Sequence, residues 1–400
     1  MSNYTQSTNF ATKDALSPGD PLKIVRGTEI NTEFTNIAVA VATKFDTTAL
    51  ASPGPIGATT PAAINGTTIN GTTGTFSGNV QMASANGGQL AGLRNKIING
   101  SFTVNQRVIT TTTPTTGQYT VDQWQAVQSV AGKYSISTGA ANATAVAAGA
   151  SGNTLTATTL AAYTPLASEV FCILHKIEGL NIADLAWGTA SAKTVTLSFY
   201  ATSSLTGTFG GTIRNSANTR SYPFTYSIPV ASTPTRISVT IPGDTTGAFA
   251  DWLTTTSIGM SVLFSYGTGP TASGPAGAWA AAGYTGATGA NSLVSNAGAT
   301  LTLFNVQLEV GPVATPFEQR PIGMELALCQ RYCFVGRLFV PTAPSTQNVP
   351  LPVPMRTTMA SASITGTGAG FALADVTSNS VIIATQTGGS GQTLTVSTEL

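Results

Sequence analysis

The sequence predicts a mainly β protein built around an antiparallel β-sandwich, and three observations carry that prediction. Strand-like runs recur between Leu93 and Phe317, separated by Gly, Pro, Asn and Ser breaks. Only 8% of the 400 residues are charged while 42 are Gly and 21 are Pro, so the wet surface must be made of hydroxyls and amides. Hydrophobic residues make up 42% of the chain and its formal net charge is +1, the reverse of the composition that keeps a chain unfolded.

Taken in order, residues 1–27 read as an extended arm, because Pro18, Gly19 and Pro21 break any long helix. From Thr28 the pattern changes. Ile30, Phe34, Ile37, Val41 and Phe45 recur at steps of three or four and form one stripe of a helix of about four turns. Glu29 and Glu33 in its first turns and Lys44 in its last complement the helix dipole. A helix this short is marginal alone, so its apolar seam needs another copy, a socket on a larger particle, or its own domain to pack on. Residues 1–46 are therefore read as an anchoring arm and helix, with those five apolar residues as the anchoring or oligomerisation face.

Residues 47–92 are rich in Gly, Thr and Ser, and Ile64–Thr68 (INGTT) is followed directly by the same five residues at Ile69–Thr73. One apolar residue in five cannot build a core within one chain, but three intertwined copies align the Ile rows, Phe76 and Val80 along a shared axis. The segment reads as the shaft of a homotrimer, with a flexible linker as the alternative.

Residues 93–320 carry the sandwich, jelly-roll-like in expected topology, with strand-like runs at 96–104, 194–200, 236–241, 260–264 and 300–308 and a short helical pattern near Leu180 to Leu185. A connecting helix is expected over 321–333, with Pro321 ahead of it and Ile322, Leu326, Cys329 and Cys333 on one face. Residues 334–400 read as a small C-terminal β-domain whose edges are safest under neighbouring subunits.

Several function classes are excluded by composition. No run of Lys or Arg is present to hold a phosphate backbone, so nucleic acid is not expected as a partner. Cys172, Cys329 and Cys333 are too few for a disulfide framework and imply folding in a reducing cytoplasm. The N-terminus has no basic start or apolar core of a secretion signal, and no apolar run reaches membrane-span length, so no membrane insertion is expected.

Chemistry is equally sparse. His175, the only histidine, lies in an apolar run and reads as a packed residue, and Cys329 with Cys333 is a poor metal site without further ligands. Asp122, Glu169, Glu178, Asp184, Asp244 and Asp251 show no local pairing of the kind glycan cleavage needs. No phosphate-binding loop or nucleophile elbow occurs. The expectation is a protein that is no enzyme and takes no metal and no cofactor. For ligand binding, Trp279 and Tyr284 stand out, because a Gly/Ala-rich loop at 268–290 would present their rings to a sugar; the competing reading has them capping the core. Trp124 and Trp187 read as core, and Trp252 is open.

Three segments together resemble tail-fibre and appendage proteins of tailed bacteriophages, particularly short-tailed ones. NFATKDALSPGDPLKIVRGTEINTEFTNIAVAVATKFD (9–46) looks like the region by which such proteins attach to the virion. LRNKIINGSFTVNQR (93–107) with YTVDQW (119–124) looks like the opening of a phage-fibre sandwich similar to carbohydrate-binding modules, and FNVQLEVGPVATPFEQRPIGMELALCQRYC (304–333) resembles its last strand and exit helix. The resemblance implies a virion-localised structural protein, made in the host cytoplasm. Its partners would be sister chains, other virion proteins such as a tail adaptor, nozzle, collar or capsid, and host surface polysaccharide. An architectural head fibre, decoration or collar protein without a receptor is the alternative, and a polysaccharide depolymerase is a weaker third.

Overall fold

The computed structural model describes residues 4–42, 92–338, 345–357, 361–365, 371–385 and 392–400. The chain divides into two units, Met1–Val80 and Gln81–Leu400. Phe45, Lys44 and nearly all of the expected shaft lie outside the described residues.

In the first unit, helix α1 (Phe10–Asp14) is capped by the Asn9 side chain, which accepts from Ala11 N, and helix α2 (Gly27–Ala42) follows. Glu33 does more than complement the helix dipole. Its carboxylate accepts hydrogen bonds from the Tyr4 hydroxyl (2.5 Å), from Ser7 N (2.8 Å) and Ser7 Oγ (2.6 Å), and from Thr8 N, and so holds the arm against α2. Those bonds, from Ser7 and Tyr4 above all, lower its pKa to about 2. The apolar stripe stays out in solvent, with Phe34 65% and Val41 61% exposed and Ile30 and Ile37 at 41% and 40%.

The second unit holds two six-stranded antiparallel sheets among its described residues. The first orders strands β1 (Thr111–Thr112), β4 (Tyr134–Ala140), β5 (Asn153–Thr159), β14 (Thr300–Val310), β7 (Val195–Ser203) and β10 (Thr235–Ile241). The second orders β2 (Tyr119–Val121), β3 (Trp124–Gln128), β6 (Val170–Glu178), β11 (Ile258–Thr268), β8 (Gly207–Asn215) and β9 (Ser221–Ile228). Alternation decides which face is inner. In β7, Val195, Leu197, Phe199 and Ala201 enter the core while Thr196, Ser198, Tyr200 and Thr202 stand on the opposite face. Trp124, Ile173, Phe199, Phe264 and Leu303 are fully or almost fully buried between the sheets, and each such side chain contributes about 1.5–3 kcal/mol. The helical pattern near Leu180 becomes two short 3₁₀ turns, Gly179–Asn181 and Ala183–Leu185.

Residues 96–104 depart from the expected strand. Asn99 and Phe102 both take positive φ, 56° each, so the run cannot stay extended. The cause is the Asn99 side chain, which competes with strand pairing for the backbone. Its amide donates to Val104 O (2.8 Å) and Asp122 O (2.9 Å), and its oxygen accepts from Val104 N (3.0 Å). Trp124 Nε1 donates to Asn99 O (3.0 Å), and Glu325 accepts from Asn99 N. The segment then lies along β14, where Lys96 N donates to Leu308 O (2.8 Å) and Val306 N to Gly100 O (2.9 Å). A side chain at Gly100 would put its Cβ 2.1 Å from Val306 O, so only glycine fits.

Helix α3 (Ala143–Ala147) lies between β4 and β5, and helix α4 (Ile322–Gln330) follows β14. The exit helix is shorter than its sequence pattern: Cys333 begins strand β15 (Cys333–Leu338), and Ile322 is 62% exposed, while Leu326 and Cys329 pack with Ile98, Val104 and Tyr332. Small strands β12 (Ser273–Gly274) and β13 (Gly286–Ala287) pair in the loop after β11. Beyond α4, β15 pairs with β20 (Gln392–Ser397), which pairs with β17 (Ser361–Thr365), and β16 (Ser345–Pro350) and β18 (Phe371–Val376) flank β19 (Ser380–Thr385). Met355, Val381, Ile383, Leu394 and Val396 form their core.

His175 is wholly buried, edge-on to Trp124, with Nε2 3.1 Å from Ile98 N and 3.0 Å from Ile98 O. Burial lowers its pKa from 6.5 to about 3, so the fold holds the neutral ring. The unfolded chain protonates first, and this contribution to stability is present above pH 6.5 and is lost as pH falls from 6.5 toward 3. Urea unfolding of His175→Gln should therefore show a stability decline between pH 6.5 and about 4 that is shallower than wild type by about 3 kcal/mol. An identical decline would contradict a buried neutral histidine.

Candidate functional site

Strand β14 opens a groove on the outer face of the first sheet. Its pairing with β7 sets Phe304 opposite Tyr200 and Gln307 opposite Ser198, so Asn305 and Val306 both stand against Phe199. This is a β-bulge, and Asn305 takes φ 50° to make it. The extra residue divides the strand's outer face into different tasks.

Ahead of the bulge, Phe304 and Tyr200 stack with centroids 4.9 Å apart and planes 7° from parallel. Arg236 of β10 stands directly across from Tyr200, so Phe304, Tyr200 and Arg236 make one cross-strand row. At the bulge, Asn305 reaches sideways: its oxygen accepts from Ser151 N (3.1 Å) and Ser151 Oγ (2.8 Å), and its amide donates to Gly149 O (2.7 Å). These bonds fix the chain between α3 and β5 as one wall. Beyond the bulge, Gln307 Oε1 accepts from Glu318 N (2.8 Å), while Glu309 accepts from Thr315 N (2.8 Å) and Thr315 Oγ1 (2.7 Å). These fix residues 314–319 as the opposite wall.

The space enclosed is about 430 Å³, the size range of small-ligand sites. Tyr200, Phe317, Arg236, Ser198, Gln319 and Asn305 are among its lining residues, which among the described residues include no carboxylate. Among the described residues, the Tyr200 hydroxyl, the Ser198 hydroxyl and the Gln319 amide have no hydrogen-bond partner, so their polar capacity is free for a ligand. A second hollow of about 350 Å³ shares Ser151, Phe317 and Gln319 with the first and continues to Ser101, Thr103 and Glu325. Its acids, Glu318 and Glu325, are engaged by Arg320 at 3.2 and 3.4 Å.

The aromatic residues singled out from sequence lie elsewhere. Trp279 is half-buried at an end of the core, edge-on to Trp187 (5.2 Å), Trp252 (5.5 Å) and Tyr222 (5.2 Å), and its Nε1 donates to Pro242 O (2.9 Å). Tyr284, also half-buried, lies over Gly274. Trp124, Trp187 and Trp252 are core.

The six acids are each used locally. Asp122 accepts from Gln106 N (2.6 Å) and pairs with Arg107 (3.3 Å), Glu178 takes Arg331 and Tyr332, and Asp184 takes Lys96. Glu169 takes the Tyr163 hydroxyl, and Asp251 accepts from Ala248 N. Burial pushes the Asp244 carboxyl up, but Arg220, Gly247 N, Trp252 Nε1 and Thr246 N outweigh it and leave its pKa below the usual range. Among the described residues no group of three or more His, Cys, Asp or Glu could hold a metal ion, and no helix is long and apolar enough to cross a membrane.

No family model matches the chain, and no curated protein matches it in sequence. Solved structures with detectable similarity include the enzymatically active domain of tailspike protein 4 of bacteriophage CBA120, at 13% identity and TM-score 0.27 over 54% of this chain. The matched region spans 21% of that tailspike chain. A putative sugar binding protein from Bacteroides thetaiotaomicron matches at 13% identity and TM-score 0.30, over 54% of this chain and all of its own. A family 11 carbohydrate-binding module from Clostridium thermocellum, in complex with a β-1,3-1,4-mixed-linked tetrasaccharide, matches at 13% and TM-score 0.24, over 50% of this chain and 96% of its own. Similarity of this degree assigns neither ligand nor activity to the present chain.

Asn305→Gly keeps the positive φ without strain and removes the side chain that ties Gly149 and Ser151 to β14. It should lower the urea midpoint, with m unchanged, by the equivalent of about 0.5–1.5 kcal/mol, the net contribution of hydrogen bonds whose other partners can still reach water. An unchanged midpoint would show that the wall stands without this amide.

Proposed function

We propose that this chain is a structural fibre protein of a tailed bacteriophage virion that binds host-surface glycan through the groove over Tyr200 and carries out no chemistry on it. The observation that carries the reading is the groove itself. The Tyr200 ring, backed by the buried Phe304 on which it stacks, lines it together with a second aromatic, Phe317, and uncommitted hydroxyl and amide groups converge on the same space. A pyranose ring asks for this combination, an apolar face for its C–H groups and donors and acceptors for its hydroxyls.

Binding rather than cleavage is supported by the lining. Cleavage of a glycosidic bond ordinarily takes two carboxylates placed across it, whereas Glu309 behind the wall is taken by Thr315 and Gln307, and Glu318 and Glu325 of the adjoining hollow are occupied by Arg320 and by backbone N–H groups of Arg94, Asn95 and Asn99. Attachment to the particle is supported by the N-terminal unit, whose Ile30, Phe34, Ile37 and Val41 stay in solvent while polar bonds hold the arm on α2. The homotrimer is supported by the INGTT repeat, which asks for sister chains to bury its isoleucines. Three grooves on one fibre would turn weak single contacts into firm adhesion.

The test is a glycan array probed with the full chain, wild type beside Tyr200→Ala, with circular dichroism to confirm folding. Loss of the Tyr200 ring should weaken binding about tenfold or more. Should Trp279→Ala or Tyr284→Ala abolish binding while Tyr200→Ala leaves it intact, the site belongs to the loop end of the sandwich instead. If the wild type binds no glycan yet docks on particles stripped of it, the architectural reading replaces this one.

A further inference from the structure

We infer that the groove selects an acidic saccharide, with Arg236 receiving a sugar carboxylate beside the ring that stacks on Tyr200. The inference rests on the glycan-binding reading and adds the class of glycan. Among the described residues, Arg236 is the only charged one lining the main groove, and no acid lines that space to oppose an anion. Its position follows from register, because Arg236 is the direct cross-strand partner of Tyr200. A carboxylate on a ring seated against Tyr200 is thereby brought within reach of the guanidinium.

The guanidinium is also held in place. Its Nη2 donates to Thr315 O (3.1 Å), and Thr315 is fixed in turn by the buried Glu309 carboxylate through N (2.8 Å) and Oγ1 (2.7 Å). One nitrogen is thus spent on orientation, while among the described residues Nε and Nη1 make no hydrogen bond and stay available to a planar anion. Lysine in this position could supply charge but not the paired N–H geometry. The carboxylates that face the adjoining hollow, Glu318 and Glu325, are screened by Arg320, so they do not cancel the attraction at Arg236.

Oligogalacturonate, oligomannuronate and hyaluronan fragments, each beside its carboxyl-reduced neutral counterpart, are the probes, titrated calorimetrically into the full chain. Wild type should bind at least one acidic form about tenfold or more tighter than the same chain reduced, and the preference should shrink as salt rises. Arg236→Gln should bind both forms at the neutral level, and Arg236→Lys should recover only part of the preference. Equal binding of both forms by wild type overturns the acidic selection and leaves the glycan reading standing. A preference that survives in Arg236→Gln overturns the role of Arg236. If no form of any probe binds, both the selection and the reading beneath it fall.

Discussion

Strand β14 sets two residues, Asn305 and Val306, against the single Phe199 of β7, and the sandwich is arranged around that mismatch. Without the extra residue, alternation would keep a simple two-face strand. With it, Val306 returns to the core while Asn305 turns sideways on the outer face, and Gln307 and Glu309 resume that face one step out of phase. One strand therefore places both walls of the groove, through Asn305 and the Gln307–Glu309 pair, while its buried Phe304 backs the Tyr200 ring that lines it. The groove is pre-formed because a strand, not a free loop, places its walls.

The same bulge receives the start of the sandwich. Val306 O accepts from the Asn95 amide (3.1 Å), Val306 N donates to Gly100 O, and Leu308 N donates to Asn95 Oδ1 (3.0 Å). On this edge β5 pairs β14 only over residues 300–303, and residues 95–100 carry the bonding on past the bulge. The turn at Asn99 then binds Trp124 of the second sheet and Glu325 of α4 through its backbone, and Val104 and Asp122 through its side chain, so distant parts of the chain close on one residue. The segments at 93–107, 119–124 and 304–333, which carry the resemblance to phage fibres, thus meet in space and make one joint. Their polar residues serve closure: Asn95, Asn99, Gln106, Arg107, Asp122 and Arg320 are all engaged with one another or with backbone.

Much of the fold was legible because period-two alternation survives in β7 and β10, in β11 apart from Leu263, and in β14 on either side of its bulge, where inner apolar and mostly polar outer residues follow in turn. Residues 96–104 turn away from a strand path for a physical reason. Their apolar pattern is strand-like, but the Asn99 side chain offers the backbone closer partners than a neighbouring strand does. The site was less legible. Trp279 drew attention through its Gly- and Ala-rich neighbours, yet its environment is made by Trp187, Tyr222 and Trp252, which only the folded topology brings together. The available signal was Tyr200, an aromatic ring on the face that otherwise carries Thr196, Ser198 and Thr202. Its partners Phe304 and Arg236 required the register of three strands.

If the bulge unites the opening segment, the sheets and the groove wall, their amides should open together. Native-state hydrogen exchange on the full chain reads this directly at Lys96, Val104, Val306 and Ser151, whose N–H groups bond to Leu308 O, Asn99 Oδ1, Gly100 O and Asn305 Oδ1. The account predicts one opening free energy for all four, equal to that of Leu263 in the centre of the second sheet. Exchange of Val104 and Ser151 through separate, low-energy openings, with the sheets still protected, would contradict it.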